Sequence, residues 1–281
     1  MKNILFLTDF SKTEDNGFIY ALDIAKATDA TLNILHVYSS VSGKRPLHIK
    51  QLINSQTNFD VFQEFEQPIK HLYNLAIAKG HTETIFSINL QYGDLLSQTY
   101  KLISKDNNDF LVIGTDGEAG LHRKLFGTTL LNIIESIKIP ILAIPHAVTK
   151  YEVVKNVGFT TKFTLSDLQA LMIMVKYSEE YNTQLKCLHI TNDMYAPELT
   201  ATIDYWTKTI NSDHLEFVIM YKGKASYEDL ILDFIKEQHI DYLCIRRQSL
   251  PTLKRLLEPS LTDKLLKKID IPLYIVKEEV L

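Results

Sequence analysis

Apolar residues fall along the chain in short, nearly unbroken runs that alternate with longer amphipathic stretches. Residues 3–8, 31–37, 84–91, 110–114 and 139–144 are rich in Leu and β-branched side chains, as strands buried on both faces should be. Between them, Asn16 to Lys26, Phe59 to Ala78, Leu95 to Ser104 and Thr128 to Ile137 space their apolar residues by three and four, which predicts helices. The pattern then starts again. Strands are predicted near 153–159, 184–190, 214–220, 241–246 and 271–276, with helices near 165–181, 196–210, 226–237 and 260–268. A β-α-β-α order with continuous apolar strands predicts an α/β, doubly wound parallel sheet, with helices on both faces and right-handed crossovers.

The restart is a duplication. Asn3, Phe6, Thr8 and Phe10 recur as Asn156, Phe159, Thr161 and Phe163, an offset of 153. At that offset Leu32 to Val37 falls on Leu185 to Ile190, with Leu35-His36 matching Leu188-His189. Asp109 to Ile113 falls on Asp241 to Ile245 at an offset of 132, so the second copy is 21 residues shorter between its second and fourth strands. Lys138-Ile139-Pro140-Ile141 then meets Asp270-Ile271-Pro272-Leu273. Two tandem domains are expected, residues 1–148 and 151–281, with the boundary near Ala147 to Glu152. That linker is short and lacks glycine and proline, so the copies should pack closely. Ser39 to Thr57 breaks the pattern, being polar with Gly43 and Pro46, and is expected to be a mobile loop.

Charge narrows the functional classes. With 30 Lys and Arg against 34 Asp and Glu, the net charge is −4, which leaves no basic excess to displace counterions from nucleic acid. No apolar run approaches the ~20 residues that span a bilayer, and the start meets Thr8-Asp9 too soon for a signal-peptide core. Cys187 and Cys244 sit inside apolar runs and read as small buried hydrophobes of a reducing compartment, without a disulfide. A cytoplasmic protein is expected. Met172, Met174, Tyr205 and Trp206 read as core or domain-interface packing.

Ligands of doubly wound sheets bind beyond the carboxyl ends of the strands. There the fourth strand of the first copy runs into Gly114-Thr115-Asp116-Gly117, and Gly127-Thr128-Thr129 follows at the start of a helix. Glycines let the backbone approach a bulky ligand where a Cβ would collide. A helix start favours phosphate, and the Thr hydroxyls add donors. A plain turn followed by a threonine cap is the alternative.

This Gly-x2-Gly-x9-Gly-Thr spacing resembles the nucleotide-binding signature of the universal stress protein family. The opening Ile4 to Ser11 is similar to that family's first strand and Leu35-His36-Val37 to its second, although Leu7 stands where the family often has proline. The resemblance covers both copies. It implies Rossmann-like domains of the adenine-nucleotide alpha hydrolase type, each with a five-stranded parallel sheet and four helices, and adenine-nucleotide binding where the signature is present. It further implies domain pairing through the edges of the last strands, Ile141 to Ile144 against Leu273 to Val276, and a homodimer of such chains. Carried over by position, Thr8 and Asp9 would lie at the adenine and ribose, and the main chain at Val37 would bond the adenine edge. Ile113, Gly114 and Gly117 would line the ribose and phosphate path, and Gly127, Thr128 and Thr129 would hold the phosphates. Asp9 has an alternative role as a helix cap. Arg123 and Lys124 either screen phosphate or are solvated.

In the second copy the three glycines become Arg246, Ser249 and Pro259, Asp9 becomes Lys162, and Ser260 persists. The fold should survive there while the pocket does not. Lys162, Arg246, Arg247, Lys254 and Arg255 suit an anion, with solvation or pairing to carboxylates as the plainer reading.

No P-loop, Gly-x-Ser-x-Gly elbow, His-Glu-x-x-His stretch or metal-ligand spacing occurs, and His36 and His189 read as strand residues. The expectation is therefore a stress-response protein that binds ATP in its first domain, with Asp9 or Asp116 as contacts to any Mg2+. It would act as a sensor or regulator with no catalytic residue. A non-nucleotide interaction scaffold is the first alternative, and a slow ATPase or an adenylating relative the second.

Overall fold

A computed structural model of the chain describes residues 3–38, 55–84, 86–106, 108–115, 127–149, 154–247 and 260–277. The strands are β1 (Asn3–Leu7), β2 (Thr31–Tyr38), β3 (Phe86–Tyr92), β4 (Phe110–Thr115), β5 (Ile141–Pro145), β6 (Asn156–Thr160), β7 (Gln184–Thr191), β8 (Leu215–Tyr221), β9 (Tyr242–Arg247) and β10 (Leu273–Lys277). The helices are α1 (Asp15–Thr28), α2 (Ser55–Ala78), α3 (Leu95–Asp106), α4 (Gly127–Ser136), α5 (Leu165–Tyr181), α6 (Pro197–Ile210), α7 (Tyr227–Glu237) and α8 (Leu261–Lys268). The order is the α/β alternation expected. Helix α2 begins inside the segment expected to be loop, and residues 39–54 of that segment lie outside the described residues.

The residues divide into two compact units. In the first, β1 lies between β2 and β4, and β3 flanks β2, all parallel. Leu5, Phe6, Leu32, Leu35, Leu111 and Val112 have no exposed surface, because helices cover both faces of a parallel sheet. In the second, β6 lies between β7 and β9, with β8 beyond β7 and β10 beyond β9, again parallel. Strand β5 belongs to this second unit and runs antiparallel to β10, with Ala143 opposite Leu273 and Ile141 opposite Ile275. Phe159, Leu185, Cys187, Leu243 and Leu273 form part of its buried interior.

The duplication extends to polar detail. Asp109, just before β4, accepts from the Asn3 amide (3.1 Å). Its counterpart Asp241 accepts from the amides of Lys155 and Asn156 (2.8 and 2.9 Å). In each unit a carboxylate at the foot of one strand thus ties down the start of its neighbour.

Trp206 is core, 3% exposed, and Met174 packs partly buried against the same cluster. Met172 and Tyr205 depart from the expectation of packing, being 41% and 60% exposed. Both lie on helix faces turned to water, and single exposed apolar side chains are ordinary there.

Candidate functional site

Strand β1 ends at Leu7, and the Thr8 amide makes one further bond, to the Leu35 carbonyl of β2 (3.0 Å). The chain then turns away. Phe10 sits in the left-handed region at φ 61°, a conformation that costs a phenylalanine roughly 1–2 kcal/mol. The turn is held by the Phe10 amide donating to the Thr8 hydroxyl (2.9 Å) and the Ser11 amide donating to Asp9 Oδ1 (2.8 Å). One more residue anchors it. Glu14, 2% exposed just before α1, accepts at Oε2 from the Thr8 hydroxyl (2.7 Å) and the Asp9 amide (2.8 Å).

The strand order β2-β1-β4 brings Thr8 and Asp9 beside Val37 on one flank and Ile113 and Gly114 on the other. Main-chain polar groups alternate sides along a strand. Leu35 turns its carbonyl toward β1, while the Tyr38 carbonyl accepts from the Gly93 amide beyond β3 (3.0 Å). The main-chain groups of Val37 therefore point like those of Leu35, into the space that β1 leaves by ending early. Ile113 is fully buried, opposite Leu7. Gly127 opens α4, with Thr128 and Thr129 in its first turn. Gly117, Asp116, Arg123 and Lys124 lie outside the described residues.

Gly114 has a packing reason to be glycine. A Cβ there would lie 3.3 Å from the Glu14 Cγ, and a Cβ on Gly17 of α1 would lie 3.4 Å from the Gly114 Cα. Helix α1 and strand β4 thus approach closely at these two glycines, and a Cβ on Gly114 would press on the Glu14 side chain.

Aromatic rings gather beyond the ends of β1 and β2. Phe10 packs on His36 (centroids 4.5 Å apart), and Phe65 of α2 reaches His36 (4.8 Å) and Tyr38 (5.7 Å). His36 Nδ1 donates to the Thr8 carbonyl (2.9 Å). Burial pushes the His36 pKa below its ordinary value, against the opposing pull of the Thr8 carbonyl and the Asp9 carboxylate.

The second unit repeats this turn with different chemistry. Phe163 adopts φ 58° and packs on His189, whose Nδ1 donates to the Thr161 carbonyl (3.0 Å). Asp167 occupies the place of Glu14. Its Oδ2 accepts from the Thr161 hydroxyl and from the amides of Lys162 and Thr164 (3.1, 2.9 and 3.2 Å). Arg246, which stands where the first copy has Gly114, extends its guanidinium to Asp167 Oδ1, with both side chains under a tenth exposed. Arg247 lies 3.7 Å from Asp263, and its burial pulls its pKa down while Asp263 opposes the shift. Ser260 caps α8 as expected, its hydroxyl accepting from the Asp263 amide (3.2 Å).

A cavity of about 480 Å³ remains at the strand ends, bounded by Lys162, Leu188, Ile190, Arg246, Arg247 and Ser260 among others. The Arg246 guanidinium folds onto Asp167 at the wall of this cavity. Lys254, Arg255, Ser249 and Pro259 lie outside the described residues. The sequence reading missed Glu14 and Asp167, although both stand at the 153 offset six residues after the matched threonines.

The family model described as "Universal stress protein family" matches residues 1–145. No curated protein sequence matches the chain. Among solved structures, a universal stress protein from Archaeoglobus fulgidus DSM 4304 is similar at a TM-score of 0.73 and 15% identity, over 98% of this chain and 96% of that one. A functionally unknown protein from Pseudomonas aeruginosa PAO1 is similar at 0.64 and 11%, over 99% and 92%. A universal stress protein from Archaeoglobus fulgidus in complex with dAMP covers 51% of this chain and 97% of its own, at a TM-score of 0.35 and 10% identity.

Proposed function

The chain belongs to the universal stress protein family, and from that premise we propose that its first unit binds an adenine nucleotide, ATP, as a sensor or regulator rather than as a catalyst. The observation that carries this reading is the early end of β1. It leaves Val37 of β2 beyond the last paired residue of β1, near Thr8, Asp9 and Gly114, where an adenine edge would fit. An adenine edge presents alternating donors and acceptors, which a strand's main chain matches without any particular side chain. The helix that Gly127 opens offers amides and a positive dipole end to phosphate. Arg123, Lys124, Thr128 and Thr129 would add donors, and Gly117 would give the backbone room to approach. The described residues contain no group of three His, Cys, Asp or Glu side chains able to hold a metal ion.

Equilibrium dialysis of ATP against the wild-type chain and Gly127→Val tests the reading. Expected are at most one nucleotide per chain for the wild type and a loss of roughly ten-fold or more in the variant, the scale of a few charged hydrogen bonds. Mass spectrometry of co-purifying nucleotide gives its identity, and incubation with ATP and Mg2+ followed by product analysis reads any hydrolysis. A second reading, an interaction scaffold, draws on two observations. Phe10, His36 and Phe65 pack together beside the gap, and Gly114 already has a packing role. Negligible retention of ATP by both proteins would favour it.

A further inference from the structure

The sheet of the second unit ends on a bare strand. Strand β8 pairs with β7 from Leu215 to Tyr221, one residue to one, so no bulge turns its free edge aside. The Lys222 amide donates to the Thr191 carbonyl and the Leu185 amide to the His214 carbonyl (both 2.7 Å). Main-chain groups alternate sides along a strand, so the even-numbered residues of β8 bond toward β7, and Phe217, Ile219 and Tyr221 turn their amides and carbonyls outward. Among the described residues no strand takes them up. Edges of natural sheets are blunted by lysine, proline or a covering group. Strand β3, outermost in the first unit, has such a cover: its Tyr92 carbonyl points away from β2 and accepts from the Gln98 side chain (2.9 Å). The β8 sequence Leu-Glu-Phe-Val-Ile-Met-Tyr contains neither lysine nor proline.

This edge is complementary to itself run backwards. A second copy laid antiparallel, with Ile219 opposite Ile219, brings Phe217 opposite Tyr221, Val218 opposite Met220 and Glu216 opposite Lys222. The three outward-facing residues then fall at the hydrogen-bonded positions of an antiparallel ladder. Aromatic pairs and opposite charges are the favoured cross-strand neighbours. Both charges are available. The Glu216 side chain is 58% exposed and meets Lys186 only at 3.7 Å. Lys222 lies over the Tyr227 ring at 5.1 Å and donates to the Ala225 carbonyl, with no carboxylate beside it among the described residues. Sliding the copies one step either way sets Lys222 against His214 or Val218 instead, so charge selects the register. Phe217, Val218, Ile219 and Met220 are each only half-buried, which leaves apolar surface for the added strand to cover.

We propose that two copies of the chain join by antiparallel pairing of β8 with β8, about a twofold axis at Ile219. Phe217, Ile219 and Tyr221 supply the main-chain hydrogen bonds, Phe217 and Tyr221 the aromatic contact, and Glu216 and Lys222 an ion pair at each end of the ladder. Every contact away from the axis is made twice, as an isologous interface requires. The surface belongs wholly to the second unit and is independent of nucleotide binding in the first.

Sedimentation equilibrium on the full chain tests this. The wild type is expected to be a dimer that dissociates on dilution through the micromolar range. Glu216→Lys sets like charges opposite each other at both ends of the ladder and should weaken the dimer roughly ten-fold or more. Adding Lys222→Glu restores opposite signs and should recover most of the affinity. Glu216 is a surface residue, so the fold of these variants, read by urea melts through the buried Trp206 of the same unit, should change little. Ile219→Cys gives a second readout. A hydrogen-bonded antiparallel pair holds its Cα atoms about 5.5 Å apart, within reach of a disulfide, so mild oxidation should yield a covalent dimer, the native thiols being buried. A chain that stays monomeric throughout, which would leave the edge to a strand of another protein, overturns the proposal. So does a dimer that Glu216→Lys does not weaken, one that the charge exchange fails to rescue, or an Ile219→Cys chain that does not cross-link.

Discussion

Removing the Asp167 carboxylate should cost more than removing the Arg246 guanidinium that it faces, and the double variant should be no worse than the first alone. Asp167 is 5% exposed and gathers the Thr161 hydroxyl, the Lys162 and Thr164 amides and the Arg246 guanidinium. In Asp167→Ala these donors lose their acceptor and a guanidinium stays buried without it, a loss of about 3–5 kcal/mol. In Arg246→Met the carboxylate keeps one hydroxyl and two amides, so the loss should be about 1–2 kcal/mol. Combining the two removes the stranded charge, which gives a coupling of about 2 kcal/mol. The double variant should then sit near 3–4 kcal/mol, close to Asp167→Ala. Trp206 supplies the assay. It is the chain's single tryptophan, is 3% exposed and packs at 4.8 Å on Phe163, one residue beyond Lys162. Urea melts followed by its fluorescence therefore report this unit. A double variant that falls below Asp167→Ala by the whole Arg246→Met loss would refute the argument that the pair acts as one.

Other positions give independent checks. Gly158→Ala should cost about 1–3 kcal/mol by overpacking, because its Cβ would fall 2.9 Å from Leu243 Cδ1 and Phe234 Cε1 and 3.0 Å from Ile240 Cγ2; the urea midpoint measures it. Both thiols should resist a thiol reagent at about pH 8 until the protein is denatured, since burial pushes Cys244 up to about 12 and Cys187 well above its ordinary value. His36 is held below its ordinary 6.5 by burial, so the unfolded chain takes up that proton before the folded one does. Its contribution is complete above pH 6.5 and is lost as pH falls through the folded value. His36→Gln should accordingly flatten the fall in stability as the pH drops below about 6.5.

Alternating apolar runs made the strands and most helices legible, because a parallel sheet covered on both faces tolerates few polar residues. The repeat was legible for the same reason, since its matched blocks are strands and strand ends. Helix α2 was read only in part: its first residues carry Ser55, Gln56 and Asn58, and helix propensity is a weak signal against tertiary packing. The strand-end anchors escaped because Glu14 and Asp167 look like ordinary first-turn acids, and only their burial beneath a threonine hydroxyl distinguishes them. The residue types lining the second cavity were visible as a basic set. What they enclose depends on how Arg246 folds, which spacing does not encode.

The two copies can be understood as two solutions to one packing constraint. Both put a carboxylate where α1 or α5 begins and use it to hold the threonine and amide at the end of the first strand. In the first copy the acid is the longer glutamate, and the facing position is glycine because a Cβ would come within 3.3 Å of Glu14 Cγ. In the second the acid is one methylene shorter, and the position facing it carries an arginine that reaches the carboxylate. A side chain at Gly114 would press on Glu14, and removing Arg246 would take from Asp167 its buried counter-charge. Gly114 and Arg246 are thus each matched to their acid. The two copies close the same strand end in different ways, glutamate against glycine in one and aspartate against arginine in the other.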